Sequence, residues 1–309
     1  MRKILIAFGG NALLRNGDDR TFESQLTRAK EAFEKISDVI LENDVIITHG
    51  NGPQVGDILL QNENSAKVAK PMPLHTCGAM SQGLIGEILL SAYDSVKLRK
   101  GMMKEASVII TRTVVSNTDP AFENPTKPIG PYYDEKTAMR LSVDRGWKMR
   151  EENSKGFRRV VPSPSPLDIV ERSAIFNSLS DGFLPICAGG GGIPVIKTDD
   201  GYKGVDAVID KDLASSLLAT ILEVDRFVIL TDVEGVYRNY GQPSQELIGR
   251  IKGSDLEEEF NRDAFPRGSM GPKVRAALDF ARKTGKEAII GSLDIAGKVI
   301  SGDAGTVIY

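Results

Sequence analysis

The chain has little from which to build a disulfide framework or a metal centre. It carries two cysteines, Cys77 and Cys187, and two histidines, His49 and His75, in 309 residues. Their separations match no zinc-site spacing, so no side-chain metal site is expected. Cysteines this sparse, set in apolar stretches, read as free buried thiols of a reducing compartment. Neither charge sign dominates: 39 Lys and Arg stand against 42 Asp and Glu, a net −3. That excludes a strongly basic surface for nucleic acid. No apolar run is long enough to span a bilayer. Met1-Arg-Lys-Ile runs straight into a strand-like segment cut by Gly9-Gly10, too short for a signal peptide. A cytoplasmic protein with neither membrane nor nucleic-acid partner is expected. Internal repeats and low-complexity tails are missing too. So are the P-loop signature, the His-Arg-Asp and Asp-Phe-Gly motifs of protein kinases and the Gly-x-Ser-x-Gly elbow. Gly50-x-Gly52 lacks the third glycine of a dinucleotide fingerprint, because Val55 stands there.

What the chain does have is glycine at turns. Cys187-Ala-Gly-Gly-Gly-Gly-Ile-Pro-Val195 is accompanied by Gly9-Gly10-Asn11, Gly50-Asn51-Gly52-Pro53 and Gly268-Ser-Met-Gly-Pro-Lys273. The first three of these four turns in chain order each follow a short apolar run: Ile4–Phe8, Val45–Thr48 and Leu184–Ala188. Glycine lets backbone N–H groups come close to a ligand, and successive exposed N–H groups form a nest for anions. Singly, each turn is as consistent with an ordinary tight turn. Four of them at strand ends point to one cleft that holds several negative groups.

Strand-like and helix-like segments alternate, which predicts an α/β fold with a largely parallel sheet covered on both faces. The segments are strand 3–8, helix 24–42, strand 45–48, helix 76–99, strand 107–115, helix 173–180, strand 184–188, a hairpin at 199–201, helix 210–222, strand 226–231, helix 272–284, and strands 287–290 and 306–309. In the first helix Leu26, Ala29, Phe33, Ile36 and Ile40 step by three and four along one face. Between Ser116 and Pro166 the regularity breaks into a Pro-, Lys- and Tyr-rich excursion with one short helix near 134–145. So long an irregular stretch inside a compact domain is usually functional or a linker. Its aromatics and Val160-Val161 favour a folded excursion.

Asp210-Lys211-Asp212 opens a helix between the apolar pairs Val208-Ile209 and Leu213-Ala214. A solvated charge run is one reading. The other is a buried junction at a helix N-terminus, where anions are favoured. Lys273 repeats the arrangement after Gly271-Pro272. Phosphoryl transfer asks for in-line positioning and for cations to balance the equatorial oxygens. Two lysines at helix starts, an aspartate between them and flanking N–H nests supply those parts. Ile229-Leu-Thr-Asp-Val-Glu-Gly-Val-Tyr237 leaves the sheet into a polar turn. It could line a nucleotide, with Tyr237 as an apolar wall, or be a simple strand exit.

These residues carry a resemblance. Phe8-Gly-Gly-Asn-Ala-Leu13, Thr48-His-Gly-Asn-Gly-Pro-Gln-Val-Gly56, Ala79-Met-Ser-Gln-Gly83, Lys127-Pro-Ile-Gly-Pro131, Arg159-Val-Val-Pro-Ser-Pro164, Ala188–Val195, Val208–Ser215 and Gly268–Lys273 follow in order over nearly the whole chain. Together they are specific, and the chain resembles the carbamate kinases of the amino-acid-kinase superfamily. The resemblance implies a three-layer α/β/α sandwich around a mainly parallel open sheet, with a small protruding subdomain at about 116–166. It implies a carbamate-binding lobe at 1–222, a nucleotide-binding lobe at 223–309, and a homodimer. The reaction implied is ATP + carbamate ⇌ ADP + carbamoyl phosphate. It is a phosphotransfer to a carboxyl group that uses Mg2+ with ATP or ADP and runs toward ATP in arginine catabolism.

Lys211 and Lys273 match the family's phosphate-binding lysines, Asp212 the aspartate that organises them, and Lys127 the subdomain lysine that reaches the transferring phosphoryl. Gly9, Gly10, Asn11, Gly50, Asn51 and Gly52 match the phosphate and carbamate turns. Asp232, Tyr237, Met270 and Gly271 are the expected nucleotide contacts. The chain departs from the family pattern at His75, where relatives have aspartate, at Glu87, where tyrosine is common, and at Glu234, a frequent aspartate or glycine. These departures touch substrate-side detail and the interface, not the lysines. The alternatives are another small-acid kinase such as acetylglutamate kinase, or a non-catalytic nucleotide sensor. Acid kinases of that type carry a lysine two residues before the first Gly-Gly, where this chain has Ala7; a sensor would not need Lys211, Asp212 and Lys273.

Overall fold

The structure is a computed structural model that describes residues 1–15, 17–152, 155–262, 265 and 270–309. The expected alternation is present, and it builds one eight-stranded sheet. From edge to edge the strands are Arg250–Ile251, Thr306–Ile308, Ala288–Ser292, Arg226–Thr231, Lys3–Phe8, Asp44–His49, Leu184–Cys187 and Ala106–Ile109. Every neighbouring pair is parallel except Ala288–Ser292 with Thr306–Ile308. Strands buried on both faces read as continuous apolar runs. Lys3–Phe8 is such a strand: Leu5 and Ala7 enter one core, Ile4, Ile6 and Phe8 the other. Helices Phe22–Glu42 and Leu74–Lys100 cover the second of those faces, and helices Lys211–Ile221 and Met270–Thr284 cover the first. The α/β/α sandwich is therefore confirmed.

Local chemistry explains the boundaries. Thr21 caps the first helix by accepting from the Ser24 N–H. Gly101 closes helix Leu74–Lys100 at φ +66, a conformation glycine adopts without penalty. Helix Met270–Thr284 ends at Gly285, whose N–H bonds the Ala281 carbonyl.

Two expectations are corrected. Segment 107–115 is not one strand. It splits into Ala106–Ile109 on the central sheet and Arg112–Val114 on a second, four-stranded sheet. Buried Gln82 causes the break: it accepts from the Thr111 N–H at 2.8 Å and donates to the Thr111 carbonyl at 3.0 Å. The Thr111 N–H is thereby taken out of any strand ladder, while its carbonyl also accepts from the Ile193 N–H at the start of the second sheet. Second, the turn after His49 continues into a helix, Gly52–Asn64. Pro53 supplies a first-turn φ at no hydrogen-bond cost.

The excursion folds as a three-stranded antiparallel sheet, Lys127–Tyr133, Phe157–Val161 and Met149–Glu151, with helix Glu135–Arg145. It has its own small core with helix Gly52–Asn64: Val55, Ile58 and Leu59 pack with Ile129 and Val161. The Arg145–Glu63 ion pair fastens the same contact. The sequence boundary at 222/223 falls between helix Lys211–Ile221 and strand Arg226–Thr231, and the single sheet runs across it.

Candidate active site

Parallel register sets the site. Phe8 pairs with Leu230 on one side and His49 on the other, and Thr48 pairs with Cys187. One residue further on, Gly9, Gly50, Gly189 and Thr231 leave four adjacent strands along one sheet edge. Ligands in open α/β sheets bind at such carboxyl ends, where strand order reverses. Here the reversal lies at Lys3–Phe8, between Asp44–His49 and Arg226–Thr231.

The lysines meet over this edge. Lys211 Nζ lies 2.6 Å from Asp212 Oδ1, and Lys273 Nζ lies 3.3 Å from Asp212 Oδ2. The carboxylate is 3% exposed, the lysine side chains 13% and 16%. Burial pushes the Asp212 carboxyl up, but the two lysine charges outweigh it and hold it below the usual carboxylate range. Burial, helped by Lys273, pushes the Lys211 ammonium down, while Asp212 opposes the change. The two directions pull against each other on one bond. Two cations against one carboxylate keep Asp212 ionised. Both lysines also sit in the first turn of a helix, the end where the dipole disfavours a cation. Such a local conflict is expected where an anion is to be bound.

Lys127 joins them through Asp210. Its Nζ is 3.0 Å from Asp210 Oδ2, while Asp210 Oδ1 caps helix Lys211–Ile221 by accepting from the Asp212 N–H at 2.9 Å. Strand pairing fixes the approach: Lys127 is opposite Val161, and the Val208 N–H bonds the Pro162 carbonyl two residues ahead of Asp210. The pairing of Lys127 with Asp210 was not read from the sequence. Asp210 carried a signal only as an acid preceding a helix.

Of the turn residues, Gly50 lies against Lys211: a Cβ there would be 3.4 Å from Lys211 Cδ. Gly9 passes so near the Leu230 carbonyl that a Cβ would come to 2.7 Å. Gly10 and Asn11 form a single 3-10 turn, Gly10–Ala12, and Gly52 opens its helix; nothing lies within 4 Å of a Cβ at Gly10 or Gly52. Asn51 is buried and donates to Ser81 Oγ at 2.8 Å. Thr48 Oγ1, 2.7 Å from Ser215 Oγ, ties the second strand to the lysine helix. Burial, with Lys211 nearby, holds His49 down at about 4, so its ring is neutral at physiological pH.

The tetraglycine run is closely packed. It is buried, and its Gly191 and Gly192 N–H groups bond the run's own Ala188 and Gly189 carbonyls. Side chains fill the space around it: a Cβ would come within 2.5 Å of His49 at Gly189, 2.2 Å of Asn51 at Gly190 and 2.1 Å of Thr113 at Gly192. The run is a close-packed floor that sets Asn51 and His49.

On the expected nucleotide side, exposed Asp232 accepts from Thr231 Oγ1 at the end of its strand, and the Thr231 Cα lies 3.4 Å from where a Cβ of Gly9 would be. Met270 and buried Gly271 open the helix that carries Lys273. Tyr237 lies on the hairpin Val236–Arg238 with Glu246–Ile248, bonded to Glu234 Oε2 at 2.9 Å and packed beside Tyr240. Gly268 and Ser269 of the fourth glycine turn lie outside the described residues.

The family profile for the amino acid kinase family matches residues 2–292. The chain belongs to the amino acid kinase family. A carbamate kinase of Thermoplasma volcanium is 50% identical over 308 residues, covering 100% of this chain and 99% of its own. That of Thermococcus kodakarensis is 44% identical over 99% and 98%. The solved carbamate kinase of Giardia lamblia bound to AMP-PNP superposes with a TM-score of 0.93 at 43% identity, covering 99% and 98% of the two chains. An N-acetylglutamate synthase of Neisseria gonorrhoeae, at 12% identity and a TM-score of 0.59, shares the fold alone.

Proposed function

We infer that the chain is a carbamate kinase, which transfers a phosphoryl group reversibly between ATP and carbamate. The observation that carries this reading is Asp212 held between Lys211 and Lys273 at a sheet edge, in a chain 50% identical end to end to a carbamate kinase. Phosphoryl transfer needs little covalent help. It needs donor and acceptor in line and the spreading charge met by fixed cations. In this reading Lys211 and Lys273 meet the phosphate oxygens, with Asp212 fixing both ammonium groups. Lys127 approaches the transferring phosphoryl from the subdomain. The N–H groups of the Gly9 and Gly50 turns cradle phosphate and carbamate. Asn51, fixed by Ser81 and the glycine floor, orients the small planar acceptor.

Mg2+ enters as part of the nucleotide substrate. Among the described residues no three His, Cys, Asp or Glu side chains cluster to cage a metal, and Asp210 and Asp212 are paired with lysines. Mg2+ commonly binds through phosphates, water and few carboxylates, which fits. No helix among the described residues is long and apolar enough to cross a membrane. We place the enzyme in the cytoplasm, working toward ATP in arginine catabolism, as a homodimer. Support for the dimer comes from the sheet edge at Ala106–Ile109, around which Met80, Leu84, Ile110, Phe176 and Phe183 are exposed. Sedimentation of the Leu84→Asp protein tests it; an unchanged mass would rule this edge out.

The deciding experiment supplies ADP, Mg2+ and carbamoyl phosphate and measures ATP formed, beside acetylglutamate and ATP. Turnover of the first pair alone supports the reading. Turnover of acetylglutamate moves the chain to the acid kinases, and turnover of neither leaves a nucleotide sensor.

A further inference from the structure

The Lys127–Asp210 contact joins the subdomain to the catalytic helix through a single carboxylate with two separate tasks. Oδ1 accepts from the Asp212 and Leu213 N–H groups at 2.9 and 3.4 Å, and Oδ2 receives Lys127 Nζ at 3.0 Å. The cap fixes the carboxylate, and with it the point in space where Lys127 is held. That point is adjacent in sequence to Lys211 and two residues from Asp212, so the third cation is held beside the other two. The elements that set this contact are rigid. Ile209 before Asp210 is buried, its carbonyl lying 2.6 Å from where a Cβ of Gly191 would be. Pro162 after the subdomain sheet is bonded to Val208. The Lys127 side chain is 36% exposed and that of Asp210 14%. The pair is open on the lysine side, so a phosphoryl group can draw the ammonium away without first breaking a sealed bridge.

We propose that Asp210 is a positioning residue for phosphoryl transfer: it holds Lys127 beside the Lys211–Asp212–Lys273 cluster and hands the ammonium to the transferring phosphoryl when substrate is bound. The proposal rests on the kinase reading above. It makes Asp210 act through Lys127, without touching substrate. The structural role, helix capping, is separable from it because asparagine caps as well as aspartate but carries no charge to hold a lysine.

The test is a double-mutant cycle of Asp210→Asn with Lys127→Ala, read as kcat, KM for ADP and thermal midpoint. Wild-type turnover of carbamoyl phosphate and ADP is measured first. Asp210→Asn should lower kcat about tenfold or more, leave KM for ADP within about twofold, and keep the wild-type thermal midpoint. The double variant should be no slower than Lys127→Ala alone, because one carboxylate acting through one lysine is lost only once. Asp210→Glu should restore part of the rate. If Asp210→Asn does not fold, Asp210→Ser, which caps through its hydroxyl, takes its place. Wild-type kcat in the folded variant, or drops that multiply in the double variant, overturn the proposal alone. An inactive wild-type chain overturns the kinase reading and this proposal with it.

Discussion

At the scale of single residues, three lysines and two aspartates share one small volume, and each substitution removes something different. Lys211→Ala and Lys273→Ala take away a pre-placed charge, which typically costs about 10²–10³ in rate. Both should unfold at nearly the wild-type temperature, since each helix keeps its buried face. Steady-state assays with carbamoyl phosphate and ADP check this, and wild-type turnover in both would remove the lysines from catalysis. Asp212→Asn differs, because it leaves two buried ammonium groups without their common anion. Breaking a buried pair from one side costs roughly 3–5 kcal/mol, so this variant should lose stability as well as rate, seen as a lower denaturant midpoint. His49 predicts the response to acid. Its folded pKa of about 4 lies below the ordinary histidine value of 6.5, through burial first and Lys211 as a further cause. The unfolded chain therefore binds a proton that the folded chain refuses. The His49 contribution is whole above pH 6.5 and is lost as pH falls toward 4, roughly 3 kcal/mol in all. Chemical denaturation at about pH 7, 5.5 and 4.5 should show that slope, and an NMR titration placing His49 near 6.5 in the folded protein would refute it.

At the scale of elements, the glycine turns divide into two kinds. Gly190 sits at φ +65, and Asn51 lies 2.2 Å from where a Cβ on Gly190 would be. Gly190→Ala must adopt a left-handed backbone, at about 1–2 kcal/mol, and push Asn51 aside. It should lower both the melting temperature and the rate. Gly52 has nothing within 4 Å and opens a helix, where alanine is favoured. Gly52→Ala should hold its melting temperature yet lose turnover, because only a ligand could meet the new methyl. Full activity in Gly52→Ala would take that turn out of the site. The two kinds look identical in the sequence. Periodicity in Leu26 to Ile40 revealed its helix because that signal is local. The floor under Asn51 was illegible because it depends on which side chain a distant strand brings to each glycine. The break at Thr111 was illegible for the same reason: it is made by Gln82, 29 residues away. Asp212 between its lysines was legible as chemistry at a helix start, whereas the use of Asp210 required the subdomain's position.

At the scale of the molecule, the excursion at 116–166 is bound to the body by more than the Lys127–Asp210 pair. Ile129 and Val161 close an apolar cluster with Val55, Ile58, Leu59, Leu74 and Cys77, and Arg145 pairs with Glu63. Gly56 approaches Gly130 so closely that a Cβ on Gly56 would be 3.3 Å from the Gly130 Cα. Removing the excursion would therefore uncover the apolar side of helix Gly52–Asn64, the helix that begins at the Asn51 turn. Exposed patches of this sort promote association. The truncated chain should aggregate or melt well below the intact one, while Lys127→Ala, which leaves the cluster whole, should melt with it. The same contrast separates the lysine's two possible tasks. In the proposed reading the nucleotide phosphates rest on Lys211 and Lys273, so Lys127→Ala should keep its affinity for ADP by calorimetry and lose kcat. Unchanged kcat would make Lys127 a surface lysine paired with Asp210, and lost ADP binding would place it on the nucleotide rather than on the group in transfer.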